Sequence, residues 1–152
     1  MTNKRLLITL AGAVAVAGLA LPLFPKPTPP PPAEVNRFLW CIEQVEGHKV
    51  TDLGGVYALS RLVWMQHTNK PYALSAKDPT LCRQVAERHY SWLHRSLLEL
   101  GFHPTAYRLA ACWRWGLDGG VRFFLNEVPV DYAERFVNLY NSNHYHERNK
   151  AK

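Results

Sequence analysis

The chain has 152 residues, of which 18 are basic and 12 acidic, and 47% of them are hydrophobic. When Lys4, Arg5 and Lys26 of the N-terminal segment are set aside, the remaining 15 basic residues exceed the acidic ones by only about 3. This weak positive charge comes without an arginine-rich run or interleaved basic and aromatic residues. Such a weak charge without these patterns excludes a nucleic-acid partner, and it suits contact with an anionic envelope polymer.

Residues 1–24 have the pattern of an export segment. Lys4 and Arg5 precede an uncharged apolar run from Leu6 to Phe24, which is typical of a secretory signal peptide or an uncleaved signal anchor. The run is close to the roughly 20 residues that span a bilayer, while small residues near Ala20 also permit cleavage. We expect an exported protein of the periplasm or cell envelope, with anchoring in the inner membrane left open.

A proline-rich stretch, 25–35, follows and is predicted to be a stalk. Seven of the eleven prolines lie between Pro22 and Pro32. Since proline fixes φ and lacks an amide donor, such a stretch is extended and semi-rigid. It is either a spacer that holds a domain away from a membrane or a plain linker.

Residues 36–140 are predicted to form one mainly α domain. The first helix covers 36–46, where Asn36 can cap the start and Gly47 can end it in a left-handed conformation. A short β element is possible near 49–58, and the second helix starts at Ser60.

Three further helices are expected. The third opens at Asp78-Pro79 and ends at Gly101, because aspartate caps a helix and proline suits its first position. The fourth runs from Pro104 to near Gly116, and the fifth follows Pro129. A polar tail, 141–152, completes the chain.

The three cysteines are Cys41, Cys82 and Cys112. Their spacings match no zinc pattern, so neither a metal site nor a cofactor is expected. An odd number allows at most one disulfide bond. Buried free thiols are the simplest interpretation, and the disulfide state stays open.

The candidate catalytic residue is Glu46, an acid that ends a helix and faces the glycine-rich run at Gly54-Gly55. A glycosidase needs a carboxylic acid that stays protonated near neutral pH, which burial provides. The negative end of the helix dipole also disfavours a negative charge at this position. Glu43, three residues earlier, is a rival acid, and Asp52 in the loop is a possible second carboxylate.

Three motifs occur in order along 36–140. Glu46-Gly47 is followed by Gly54-Gly55-Val-Tyr-Ala-Leu-Ser60. Further along the chain are Leu109-Ala-Ala-Cys-Trp-Arg-Trp-Gly-Leu117 and Tyr132-Ala-Glu-Arg-Phe-Val-Asn-Leu-Tyr140. Together they resemble the lytic transglycosylase domains of the lysozyme-like superfamily. The resemblance implies a lysozyme-like helical fold that acts on peptidoglycan.

In the family that the chain resembles, one glutamate first protonates the bond between N-acetylmuramic acid and N-acetylglucosamine. The same group then accepts the C6-hydroxyl proton, which gives a 1,6-anhydro sugar. The resemblance assigns this role to Glu46 and places Tyr57, Ala58, Trp113 and Tyr140 at the substrate. A muramidase would instead need a second carboxylate.

Two positions depart from the family pattern. Ala58 stands where the family has glutamine, and Arg114 stands where it has asparagine, so both amide side chains are missing. Two functions therefore remain open: a peptidoglycan-cleaving enzyme, or a catalytically weakened module that binds cell wall or an envelope assembly partner. A membrane-bound scaffold without glycan contact would rest on the anchor and stalk alone.

Overall fold

The computed structural model describes residues 29–126 and 130–142 and confirms a mainly α fold. Its helices are α1 Pro32–Glu46, α2 Arg61–His67, α3 Pro79–Glu99, α4 Ala106–Leu125 and α5 Asp131–Asn141. Two short 3-10 turns lie at Gly55–Tyr57 and Tyr72–Ala76. The described part of the chain contains no strand, so the segment 49–58 consists of turns instead of a β element.

The predicted export segment 1–24 and residues 143–152 of the predicted tail lie outside the described residues. Among the helices that are described, none has the length and apolar character needed to cross a bilayer.

Helix α1 begins earlier than the sequence predicted. Pro31 is its N-cap and Pro32 its first residue, so Asn36 lies inside the helix and is not the cap. Proline fits the first turn because the amide that it lacks would have no helical partner there. The last four residues of the predicted stalk, 32–35, thus belong to α1.

Polar caps begin the next two helices where the sequence predicted them. The Ser60 hydroxyl accepts a hydrogen bond from the amide of Val63 at 3.2 Å, which starts α2. The Asp78 carboxylate accepts from the amide of Leu81 at 2.9 Å, which starts α3. Such caps satisfy amides that have no partner within the helix.

Helix α4 breaks at Gly116 but does not end there. Gly116 has φ 75° and ψ 168°, which is non-helical, and the chain then resumes helical structure up to Leu125. The second segment folds back on the first: a Cβ at Gly120 would lie 2.7 Å from the amide nitrogen of Cys112. The predicted end near Gly116 is therefore a turn between two helical segments.

Phe38 lies at the centre of the core that holds α1, α3, α4 and α5 together. Its ring centroid lies 4.7 Å from that of Tyr90, 5.6 Å from that of Trp113 and 4.7 Å from that of Phe136. Tilted aromatic pairs at such spacings add to the free energy gained from apolar burial. This packing fixes α1 against α3, α4 and α5.

The three cysteines are free and buried. Burial raises the pKa of Cys41 to about 12, that of Cys82 to about 11 and that of Cys112 to about 12. The thiolate is the reactive form of cysteine, so these side chains act as core residues. The prediction of buried free thiols matches this arrangement.

Candidate active site

Glu46 is the last residue of α1, and its side chain is only 6% exposed. The helix ends because Gly47 adopts the left-handed conformation with φ 62° and donates its amide hydrogen to Glu43 O at 3.2 Å. Left-handed backbone of this kind favours glycine. The acid-then-glycine pair thus stops the helix and leaves the carboxyl group beside a cavity.

Two side chains from other helices contact the Glu46 carboxyl group. The Tyr132 hydroxyl, from the first turn of α5, donates a hydrogen bond to Glu46 Oε1 at 2.7 Å. Arg114 Nη1, from α4, lies 3.6 Å from Glu46 Oε2. The Arg114 guanidinium also lies over the Tyr132 ring, 5.7 Å from its centroid. Each oxygen of the carboxyl group therefore has its own polar partner.

Tyr132 stays protonated as a hydrogen-bond donor. Burial raises the pKa of its phenol above the ordinary value, and the nearby Glu46 charge raises that pKa further. Arg114 is half exposed, with 51% of its side chain accessible to solvent. Screening by solvent weakens such an ion pair. The hydrogen bond from Tyr132 is accordingly the stronger of the two contacts with Glu46.

Gly54 and Gly55 were expected to face Glu46, but neither lines the cavity beside it, and Gly55 lines a separate cavity with Glu43. The backbone of this loop needs glycine at both positions. Gly54 and Gly55 have φ 91° and 61°, and a Cβ at Gly54 would lie 2.5 Å from Leu59 O. The Gly54 amide donates to the buried Ser75 hydroxyl at 2.8 Å. Ala58, with φ 50°, is the one described non-glycine residue in the left-handed region. Local contacts therefore hold the loop in a conformation that its alanine adopts at a cost of about 1–2 kcal/mol.

A cavity of about 420 Å³ opens between Glu46, the loop and α4. It brings together Glu46, Ala58 and Trp113 of the predicted site, along with Arg114. Trp113 is fixed in the wall by a hydrogen bond from its Nε1 to Tyr57 O at 3.3 Å. The cavity is therefore the place where three of the predicted site residues meet.

Glu43 and Tyr57 line a different cavity, of about 410 Å³, together with Arg83. Arg83 Nη1 donates to the Tyr57 hydroxyl at 3.3 Å. Burial, followed by a hydrogen bond with Glu43, raises the pKa of Tyr57. The two candidate acids of α1, Glu43 and Glu46, are thus divided between two cavities, and the Tyr57 side chain does not join Glu46.

Asp52 and Tyr140 also lie away from Glu46. Asp52 is exposed and accepts a hydrogen bond from the amide of Lys49 at 2.8 Å, which is the geometry of a turn residue. Tyr140 packs under Arg37, whose guanidinium carbon lies 4.5 Å from the ring centroid. Since α5 runs antiparallel to α1, its last turn meets the beginning of α1 and its first turn meets Glu46.

Tyr132 is the main functional residue that the sequence did not identify, although it opens the quoted motif that ends at Tyr140. Along a helix, eight residues correspond to about 12 Å, so only one of these tyrosines can reach Glu46. Two other residues of the Glu46 cavity were also missed: Trp115, which is 40% exposed, and the buried His89. Sequence spacing alone gives no signal for His89, because it depends on how α3 packs.

Trp40 and Trp92 are partly buried and pack against the core. Trp64 is fully buried and donates from Nε1 to Lys70 O at 2.6 Å. It cannot stack on a ligand. His48 is exposed beside Gly47.

Within the described ranges no group of three or more metal-binding side chains comes together. The arrangement instead provides a shielded carboxyl group at a cavity, with a phenol and a guanidinium to orient it and to balance its charge. That set can transfer a proton to or from a bound molecule. Comparison of the chain with protein-family models, with curated proteins and with solved structures finds no match.

Proposed function

We propose that the protein cleaves the glycan strand of peptidoglycan, with Glu46 as the general acid/base on the bond between N-acetylmuramic acid and N-acetylglucosamine. The observation that carries this proposal is the position of Glu46. Its side chain is only 6% exposed, yet it lines a cavity of about 420 Å³. A shielded acid beside a cleft is the arrangement that general acid catalysis of glycoside cleavage requires.

The number of acids favours elimination over hydrolysis. Among the described residues that line this cavity, Glu46 is the one carboxylic acid. Glu43 belongs to the second cavity, and Asp52 is a turn residue. Hydrolysis usually uses two carboxylates across the scissile bond. A lytic transglycosylase, with a single acid, fits this cavity better than a muramidase does.

In the proposed reaction Glu46 first gives its proton to the glycosidic oxygen as the bond to C1 breaks. It then takes the proton from the C6 hydroxyl, whose oxygen closes onto C1 to give the 1,6-anhydro product. Tyr132 holds Oε1 in place throughout, because its phenol remains a donor.

Digestion of purified peptidoglycan by the full-length protein tests the proposal. The wild-type protein should release soluble fragments with anhydro ends, identified by mass spectrometry. Glu46→Gln should release none, because an amide cannot exchange the proton. Glu43→Gln, a matched change one turn earlier in the same helix, should retain most of the activity. Failure of the wild-type protein to release any fragment would refute an enzymatic function.

The second candidate is a catalytically weakened module that binds cell wall or an envelope assembly partner. The Arg114–Glu46 ion pair favours it, because the guanidinium lies against Oε2, the carboxyl oxygen that Tyr132 leaves free for a substrate. Arg114→Asn distinguishes the two candidates. If the ion pair restrains an active enzyme, this variant should cleave up to about fivefold faster, as expected for a partly exposed pair. Cosedimentation with peptidoglycan without cleavage by either protein would identify a binding module.

We also propose that the protein acts outside the cytoplasm, held at the membrane by residues 1–24 if these stay uncleaved. The support is the basic start and the apolar run of that segment. Peptidoglycan would then be within reach of the domain that follows the prolines.

A further inference from the structure

His89 is a buried titratable residue in the wall of the Glu46 cavity, and the proposed reaction does not yet use it. Its side chain is 2% exposed, and it lies on α3 in the wall that also contains Trp113. The ring stacks on Trp92 with 5.7 Å between centroids and tilts against Trp113 at 4.9 Å. Two indoles therefore fix the orientation of this imidazole.

The Nδ1 atom of His89 is engaged by a second histidine. His67, the last residue of α2, places its Nε2 3.1 Å from His89 Nδ1. His67 is itself held in place, since Arg88 Nη1 donates to its backbone carbonyl at 3.0 Å. Burial, followed by the His67 charge, lowers the pKa of His89 to about 3, so both partners of the bond can be neutral imidazoles at physiological pH.

One ring must donate in this bond and the other must accept. A neutral imidazole in water carries its proton mainly on Nε2. If His67 Nε2–H donates, both rings keep that preferred tautomer; the reverse bond would force both rings into the less favourable one. The bond made by one ring nitrogen fixes where the other proton lies. His89 therefore carries its remaining proton on Nε2.

The second ring nitrogen of His89, Nε2, takes part in no hydrogen bond with the described residues, whereas Nδ1 is engaged by His67. His89 lines the same cavity as Glu46 and Trp113. The N–H at Nε2 is therefore the polar group of this side chain that is left to bind a ligand in the cavity.

We propose that His89 binds the glycan in the Glu46 cavity by donating its Nε2–H to an oxygen of the amino sugar, and that His67 is the positioning residue that sets this tautomer. An acetamido carbonyl or a hydroxyl oxygen is a suitable acceptor for a neutral donor. The inference rests on the proposed function, because it assigns a contact to the same substrate. It adds a residue that specifies the sugar without taking part in proton transfer.

The kinetic test uses full-length protein and purified peptidoglycan. His89→Phe keeps a stacking ring but removes the donor, so KM should rise about fivefold to tenfold with little change in kcat, as expected for one lost hydrogen bond. His67→Leu should raise KM similarly, whereas His67→Gln, which still offers an N–H donor to His89, should recover near wild-type KM. His94→Gln on the same helix is the control, since His94 packs near Tyr90 instead of the cavity.

A spectroscopic test separates a substrate contact from a structural role. In protein with ¹⁵N-labelled histidine, the His89 signals should show the Nε2–H tautomer and should move when a tetramer of N-acetylglucosamine is added. In His67→Leu the tautomer population should change before any sugar is added.

The outcomes distinguish the two proposals. If the wild-type protein cleaves peptidoglycan while KM and the His89 signals stay unchanged in these experiments, the role of His89 is refuted and that of Glu46 stands. If the wild-type protein neither cleaves peptidoglycan nor binds the tetramer, both proposals fall together.

Discussion

The carboxyl group of Glu46 has a different partner on each oxygen. Tyr132 is buried and lies at 2.7 Å from Oε1, whereas Arg114 is half exposed and lies at 3.6 Å from Oε2. A short bond from a buried donor is worth more free energy than a long contact to a solvated guanidinium. We therefore expect the orientation of the acid to depend mainly on Tyr132.

Removing the Tyr132 hydroxyl tests this dependence. Tyr132→Phe keeps the ring that packs edge-on against Trp115 but removes the bond to Glu46. Hydrogen bonds to charged groups contribute about 1.5–3 kcal/mol, so kcat/KM on peptidoglycan should fall about tenfold to a hundredfold.

Tyr140→Phe is the matched control at the other end of α5, and it should leave kcat/KM unchanged. Equal losses in the two tyrosine variants would contradict the assignment of Tyr132 as the partner of Glu46.

Two glycines with positive φ, Gly54 in the glycine-rich loop and Gly101 after α3, differ in the space around them. Gly54 and Gly101 both have positive φ, of 91° and 80°. A Cβ at Gly54 would lie 2.5 Å from backbone oxygen, whereas a Cβ at Gly101 would meet nothing within 4 Å. The two positions share the conformational requirement and differ in the space available.

Alanine at these two glycines separates backbone strain from steric overlap. Gly101→Ala should lower the free energy of unfolding by about 1–2 kcal/mol from the left-handed conformation alone. Gly54→Ala should lower it by a further 1–3 kcal/mol or so, because the added methyl group overlaps the Leu59 backbone. Urea denaturation of both variants measures the difference. A Gly54→Ala variant no less stable than Gly101→Ala would show that the loop shifts at little cost.

The helices were largely predictable because their end signals are local. Asp78-Pro79 begins α3 and Gly47 ends α1 through contacts within four residues, so the sequence shows them. The start of α1 was misplaced because a proline run resembles a stalk even where its last residue opens a helix. The continuation of α4 past Gly116 depends on packing against Cys112, which no local pattern shows.

The candidate site was predictable only in part, because the sequence shows local motifs but not the packing between distant helices. Glu46, Ala58 and Trp113 were expected to lie at one site, and they line one cavity. Tyr57 and Tyr140 were expected to join them but lie elsewhere, since the direction of α5 and the side-chain orientation at Tyr57 are tertiary properties. His89 and Tyr132 depend on contacts between distant helices, so local spacing could not identify them.

For the molecule as a whole, buried histidine makes stability depend on pH. Burial, with a smaller effect of the His67 charge, lowers the pKa of His89 to about 3 from its ordinary value of 6.5. Burial, followed by the Arg88 charge, lowers the pKa of His67 in the same direction. Between the ordinary and the lowered pKa of His89 the unfolded chain binds more protons than the folded chain. The contribution of neutral His89 to the free energy of unfolding is therefore fully present above pH 6.5 and is lost as the pH falls toward 3.

As the pH falls from 6.5 to 3, the titration of His89 should lower the free energy of unfolding by up to about 1.4 kcal/mol per pH unit. Urea denaturation across this range measures the slope. His89→Phe should be flatter than the wild-type protein over the same interval, because phenylalanine binds no proton. Parallel curves for the two proteins would contradict a buried neutral His89.

The hydrogen bond between Tyr132 and Glu46 joins residues 86 positions apart. Helix α1 can form as soon as its own residues are available, but its terminal acid acquires this partner only when α5, the last described helix, has docked. Contacts of such wide separation form late because closing the intervening loop costs entropy. A nascent or truncated chain that lacks α5 would therefore contain the acid without the phenol that orients it.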